Sequence, residues 1–179
     1  MRTLKFATSD KNQLHFSAAV RKNVNDYFKE KGIPQTANYA MVLQTIVMLS
    51  LYIVPFILIL TIPMNIWVAL GLVIVMGLGT AGIGMSVMHD AVHGSYSRKE
   101  WVNKMFGSSM YLLGSNVFNW KVQHNILHHT NTNIDGFDGD IDSKGPIRLS
   151  HSAPYKKFHR YQHFHAFFFY GLMTLSKLV

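Results

Sequence analysis

The stretch that decides the fold runs from residue 39 to residue 88, YAMVLQTIVMLSLYIVPFILILTIPMNIWVALGLVIVMGLGTAGIGMSVM. It contains no Lys, Arg, Asp or Glu, and the uncharged region extends from Gly32 to His89, although 15% of the 179-residue chain is charged. A surface in water needs polar and charged groups spread along the chain, so these blocks belong in lipid. Tyr39 to Ile62 and Ile66 to Met88 each exceed the ~20 apolar residues that a helix needs to cross about 30 Å of hydrocarbon. Between them Pro63-Met64-Asn65 allows only a tight turn. A helical hairpin follows, with both outer ends on one side of the membrane. Pro55 falls inside the first span, where neighbouring helices can satisfy the carbonyl it frees. The second span carries GLGTAGIG at 77 to 84, small residues that let another helix come close. A phosphate-binding loop would need a preceding strand and water, and neither is present.

The flanks complete the membrane reading. All 17 Lys and Arg lie outside the hairpin, which places both flanks in the cytoplasm by the positive-inside rule. The net charge of +8 then reads as attraction to anionic headgroups. No basic recognition helix or nucleic-acid motif accompanies it, so no nucleic-acid partner is expected. The absence of Cys excludes disulfides, thiolate metal sites, covalent haem attachment and cysteine nucleophiles, leaving nitrogen and oxygen for any metal. MRTLKFATSDKNQ at the N-terminus has no apolar signal-peptide core, so the first span itself directs insertion.

Four regions are expected of an all-α integral membrane protein. Residues 1–38 are cytoplasmic and contain an amphipathic helix with Phe16, Val20, Val24 and Phe28 on one face, stopped by Gly32 and Pro34. It lies on the membrane surface or packs on the rest of the protein. Residues 39–88 are the hairpin. Residues 89–163 are a cytoplasmic region, with an interfacial or re-entrant helix at 101 to 119 and a loop at 130 to 150 carrying Asp135, Asp138, Asp140 and Asp142. Residues 164–179 begin a third span, in which the sequence stops.

The chemistry sits in histidines. His89 and His93 are four residues apart, which puts both imidazoles on one helix face. In WKVQHNILHHTNTN, residues 120 to 133, His124 and His128 repeat that spacing. On an α-helix His129 lies about 100° further round, able to reach a second metal while His128 holds the first. Five imidazoles at one face of the membrane point to a metal, and imidazole alone suits Zn, Fe, Cu or Ni. Iron can also exchange electrons and bind O2, which zinc cannot. Two irons need more nitrogens than these five supply, so further ligands lie elsewhere.

From about residue 15 onward the chain resembles the integral-membrane fatty acid desaturases, in their front-end or linoleoyl-CoA desaturase-like branch. That family's first box, HxxxH, is matched by His89 to His93, and its HxxxHH box by His124, His128 and His129. QHNILHHTNTNIDGFDGDID at 123 to 142 is close to the branch's usual text, and HRYQHFHAFFFYG at 159 to 171 is similar to the lead-in to its third span. The family's third box, (H/Q)xxHH, has no counterpart in the spacing of His151, His159, His163 and His165. His159 and His163 read as headgroup-level packing. The chain thus resembles the N-terminal half of a desaturase, expected to be inactive as a fragment.

The resemblance implies an O2-dependent enzyme with two iron ions, held in part by His89, His93, His124, His128 and His129. Two hydrogens leave neighbouring carbons of a fatty acyl chain, carried on CoA or lipid, giving a cis double bond and water. No cytochrome b5-like domain precedes the hairpin, so electrons are expected from a separate cytochrome b5 or ferredoxin with its reductase. The membrane is a bacterial inner membrane or the endoplasmic reticulum, with the boxes facing the cytoplasm. Asp90, Asp138 and Asp140 are candidates to orient the histidines, or form a solvated acidic loop. Tyr111 and Trp120 are candidate walls of an acyl tunnel, or interfacial packing. Asn125 and Asn131 read as loop and capping residues. Two alternatives remain: a di-iron hydroxylase or ketolase of the same superfamily, and a non-enzymatic metal- or haem-binding membrane protein.

Overall fold

Asn38 and Asn65 start the two long helices. Asn38 Oδ1 accepts the Met41 amide at 3.0 Å, and Asn65 Oδ1 accepts those of Trp67 and Val68, both at 3.0 Å. Each side chain satisfies amides that have no partner in the first helical turn. The computed structural model describes residues 11–141 and 146–178, with no side chain described at 13 or 173–178, so Asp142 lies outside the described residues. Among the described residues every regular element is helical.

Helix α2, Tyr39–Thr61, and helix α3, Ile66–Val92, are the two helices long and apolar enough to cross a membrane. The second runs four residues beyond the expected end at Met88, so His89 sits on the spanning helix itself. Within it, Ile83–Val87 forms a π-turn. Ser86 Oγ donates to the Gly82 carbonyl at 2.7 Å inside this turn and accepts from Gln44 Nε2 of α2 at 3.4 Å. Two of the small residues in 77 to 84 make the helix crossing. A Cβ on Gly79 would stand 2.7 Å from the Tyr52 amide nitrogen, and Gly82 faces the Met48 side chain, whereas Gly77 meets nothing within 4 Å. Leu60, Ile74 and Leu78 are each 60% or more exposed, the pattern of helices whose solvent is lipid.

Helix α1, Lys11–Lys31, carries Phe16, Val20 and Val24 exposed. Phe28, the fourth residue of that face, is half-buried. Beyond α3, Gly94 adopts φ +75°, a left-handed value that glycine takes without strain, and the chain doubles back. The Ala37 amide donates to the Tyr96 carbonyl at 3.0 Å. Thr45 Oγ1 donates to the Met41 carbonyl, so the Tyr96 hydroxyl donates to Thr45 Oγ1, at 2.8 Å in a buried bond. The turn after His93 is thereby tied to the first span.

The expected interfacial segment is a broken helix, Glu100–Gly107, then a 3-10 stretch over Ser108–Leu113. It folds back onto the middle of α2, where Tyr52 Oη donates to the Leu112 carbonyl at 2.8 Å. Met110 joins Ile83, Val87 and Met88 in the buried core, with Trp120 packed against it. Asn116 caps the next helix, which begins as Val117–Trp120, widens into a π-helix over Lys121–His128 and closes over His129–Asn131. A loop follows, and Arg148 and Gln162 exchange backbone-to-side-chain bonds of 3.0 and 3.3 Å that latch it to the last helix, Gln162–Leu178. That helix starts two residues before the expected Phe164 and exposes Phe164, Phe167 and Phe168.

Candidate metal centre

The end of α3 brings the first histidine pair to the centre. His89 and His93 lie on one helix face as their spacing requires, with ring centroids 4.6 Å apart. The second group meets them. His124 stands 5.3 Å from His89 and 5.4 Å from His93, and His129 stands 4.9 Å from His93, all between ring centroids. Segments more than thirty residues apart in sequence thus converge on one point.

The π-helix changes how the second group is presented. Its backbone bonds run from i to i+5, which brings His129 round towards His124, while His128 and His129 still face different partners. The His124–His129 centroids are 4.7 Å apart, closer than the 5.2 Å of the stacked His124–His128 pair. His129 Nε2 lies 3.3 Å from His93 Nε2. His128 is the ring that turns elsewhere, with Nδ1 3.0 Å from Asp138 Oδ1.

The donor set fits a metal. Nitrogens of His89, His93 and His124 lie within 4.8 Å of one another, and so do ligand atoms of His124, His128 and Asp140. Nitrogens bound at about 2.1 Å from one ion are at most about 4.2 Å apart, so small ring rotations close the first group. His124 Nε2 is buried with no hydrogen-bond partner in the protein, an orphan that a metal would satisfy. Protonating His124 is opposed by burial and by His129, His89, His93 and His128, which push its pKa down to about 4. Burial, with His89 and His129, lowers that of His93 as well. Both rings are therefore neutral near pH 7, the form that binds metal.

The acidic residues divide into distinct positions. Asp90 Oδ1 lies 3.0 Å from His89 Nδ1. Asp138 is fully buried. Burial pushes its carboxyl up, but the bonds from His128 and from the amides of Asn133 and Asp140 prevail and hold it below the usual carboxylate range. The same bond raises His128. Asp140 Oδ2 lies 3.8 Å from His124 Nδ1 and 3.4 Å from His128 Nδ1, and its side chain is 45% exposed. Asp140 is thus placed as a third member of a potential ligand group as much as an orienting residue. Asp135, in the same loop, turns away to Ser150 and Ser152.

Trp120 is closer to the chemistry than its neighbours in sequence suggest. Its ring tilts on His124 at 4.3 Å and meets His89 and His93 edge-on at 5.6 and 5.7 Å. With Met110, Tyr111, Asn119, Gln123 and His124 it lines an open groove of about 600 Å³ that ends at the cluster. Tyr111 sits further out and is 59% exposed. Asn125 is a residue the sequence did not single out correctly: it lies within the π-helix, and its Nδ2 reaches the Val92 carbonyl at 3.5 Å, linking the two histidine segments. Asn131 is buried and donates to the Leu127 carbonyl, holding the end of the same helix rather than a loop. His159 is buried beside Phe158 and His163 is exposed, so neither joins the cluster.

The family model described as fatty acid desaturase matches residues 64–179. The sn-1 linoleoyl-lipid 6-desaturase of Arthrospira platensis is 35% identical over 155 residues, 87% of this chain and 42% of that protein. The acyl-lipid (8-3)-desaturase of Physcomitrium patens is 31% identical over 178 residues, 98% of this chain and 37% of that protein. The sn-1 linoleoyl-lipid 6-desaturase of a Synechocystis strain is 31% identical over 150 residues, 84% of this chain and 42% of that protein. The chain therefore spans about two fifths of the length of the curated relatives it matches. No solved structure matches it. The chain belongs to the fatty acid desaturase family, in the front-end desaturase-like branch that its two histidine boxes resemble.

Proposed function

We propose that the protein is an O2-dependent fatty acyl desaturase that places a cis double bond in a membrane-borne acyl chain. His89, His93, His124, His128 and His129 form part of the ligand set for two iron ions. The observation that carries this reading is the meeting of both boxes at one end of an apolar hairpin, with ring centroids of 4.6 to 5.4 Å between box residues. Bound iron supplies the electron transfer and O2 reduction that no side chain can perform.

The chain's own residues do the rest. The hairpin anchors the cluster at the membrane edge, where an acyl chain can reach it without leaving an apolar environment. Trp120, lining the groove beside His124, presents an apolar wall beside the ligands. It fixes which part of a chain in the groove comes near them, while Asn119 and Gln123 at the polar side of the groove suit a headgroup or thioester. An acyl-lipid substrate follows from the names of the relatives, and acyl-CoA is the alternative that the same assay separates. The basic flanks support a cytoplasmic position for the boxes. Electrons come from a cytochrome b5 or ferredoxin with its reductase.

Feeding acyl-lipid and acyl-CoA to membranes that carry the intact protein, with O2 and a reducing system, tests this directly. Gas chromatography is expected to show a new cis alkene that disappears in His89→Ala. A hydroxylated product would instead assign the hydroxylase chemistry, and purified protein holding zinc or haem without iron would assign a non-enzymatic role.

A further inference from the structure

We propose that Asp138 is the positioning residue of the second histidine box: it accepts the Nδ1 hydrogen of His128, and so fixes the tautomer that leaves Nε2 as the nitrogen with a lone pair for a metal. The assignment rests on the reading of His128 as a ligand.

Asp138 is fully buried, and a carboxylate removed from water persists only where donors surround it. Three do. His128 Nδ1 lies 3.0 Å from Oδ1 and 3.2 Å from Oδ2, the Asn133 amide donates to Oδ2 at 2.8 Å, and the Asp140 amide donates to Oδ1 at 3.0 Å. The chain is bent to make this cage. Asn133 takes a left-handed φ of 62°, and the Ile134 carbonyl accepts from the amides of Phe137 and Asp138 at 3.1 and 2.9 Å. Both amides can only donate, so the carboxylate is the acceptor throughout and the imidazole supplies the third hydrogen. Donation from Nδ1 leaves Nε2 with its lone pair.

The loop offers Asp140 as a competitor for the same role. Its Oδ2 is 3.4 Å from His128 Nδ1 and its side chain is 45% exposed, a longer and wetter approach than that of Asp138. Asp90 makes the corresponding contact in the first box, to His89 Nδ1 at 3.0 Å. Each box thus carries one histidine steadied by a carboxylate, and only in the second is that carboxylate sealed from water. Partners of this kind typically contribute 10–100-fold to metal affinity.

Titration of the intact, metal-stripped protein with Co(II) tests the assignment. Asp138→Asn keeps one oxygen, an acceptor for only one of the two amides, and loses the charge. It is expected to weaken Co(II) binding about 10–100-fold, with an unchanged circular dichroism spectrum. In a His128→Ala background the same substitution is expected to change nothing further. Binding within about twofold of wild type, or an undiminished loss in the His128→Ala background, overturns the proposal. Wild type that binds no Co(II) overturns the metal reading itself. Should Asp138→Asn not fold, 15N NMR of the metal-free wild type decides. A hydrogen on His128 Nδ1 supports the assignment and one on Nε2 overturns it.

Discussion

The hairpin and the histidine region are built by opposite means. In the hairpin, backbone bonds are satisfied within each helix and the close approach depends on missing side chains, at Gly79 above all. In the histidine region the helices are short or irregular, and position is held by specific polar bonds: Tyr96 to Thr45, Asn125 to Val92, Asp138 to His128. One region sets depth and distance, and the other sets ring angle. Convergence of several imidazoles on one point needs both, because helix packing alone leaves rings free to turn.

Breaking the meeting of the two regions has the largest expected effect. His124→Ala removes the ring that contacts all four other box histidines. Bound iron is expected to fall by more than the roughly 100-fold that outer-shell losses reach, with no alkene product, as read by metal analysis and gas chromatography. Next comes the hairpin. Gly79→Leu forces a side chain into the α2 backbone and is expected to cost about 1–3 kcal/mol in a detergent unfolding assay. Gly77→Leu, which meets open space, stays within about 0.5 kcal/mol of wild type.

The hairpin was legible because lipid imposes a simple code: length and the absence of charge from Gly32 to His89 suffice to find it. The histidine boxes were legible too, as spacing. What spacing could not give was the π geometry of Lys121–His128, since five-residue turns are set by how the helix meets its neighbours rather than by periodicity. His128 and His129 do turn to different partners, Asp138 and His93, but spacing alone did not show which ring would meet which. Asp138 and Asp140 look alike in GFDGDID, and only the turn at Asn133 buries the first and leaves the second half exposed. Trp120 was named both as a candidate tunnel wall and as interfacial packing, because an aromatic beside a box reads the same whether it faces lipid or the ligands.

Acidity sharpens the contrast on the histidine side. His124 has a folded pKa of about 4 against an ordinary value near 6.5, so the unfolded chain takes up its proton first as the pH drops. The stability that His124 contributes is therefore complete above about 6.5 and is lost as pH falls towards about 4. The difference in melting temperature between metal-free wild type and His124→Asn is expected to shrink or reverse across that window. A pH-independent difference would show that burial and neighbouring imidazoles do not act on this ring. A modest effect belongs to the tie between the regions. Tyr96→Phe removes one buried bond to Thr45 and is expected to cost about 1 kcal/mol, measured in the same unfolding assay, with iron content little changed.

Whether the two boxes grip a common ion is tested most directly by a double-mutant cycle in Co(II) affinity on His89→Ala and His124→Ala. Shared coordination predicts that the loss in the double variant departs from the sum of the single losses by more than about 0.5 kcal/mol, the usual limit for independent sites. Losses that add within that limit would contradict it, and would separate the two boxes into sites with no common centre.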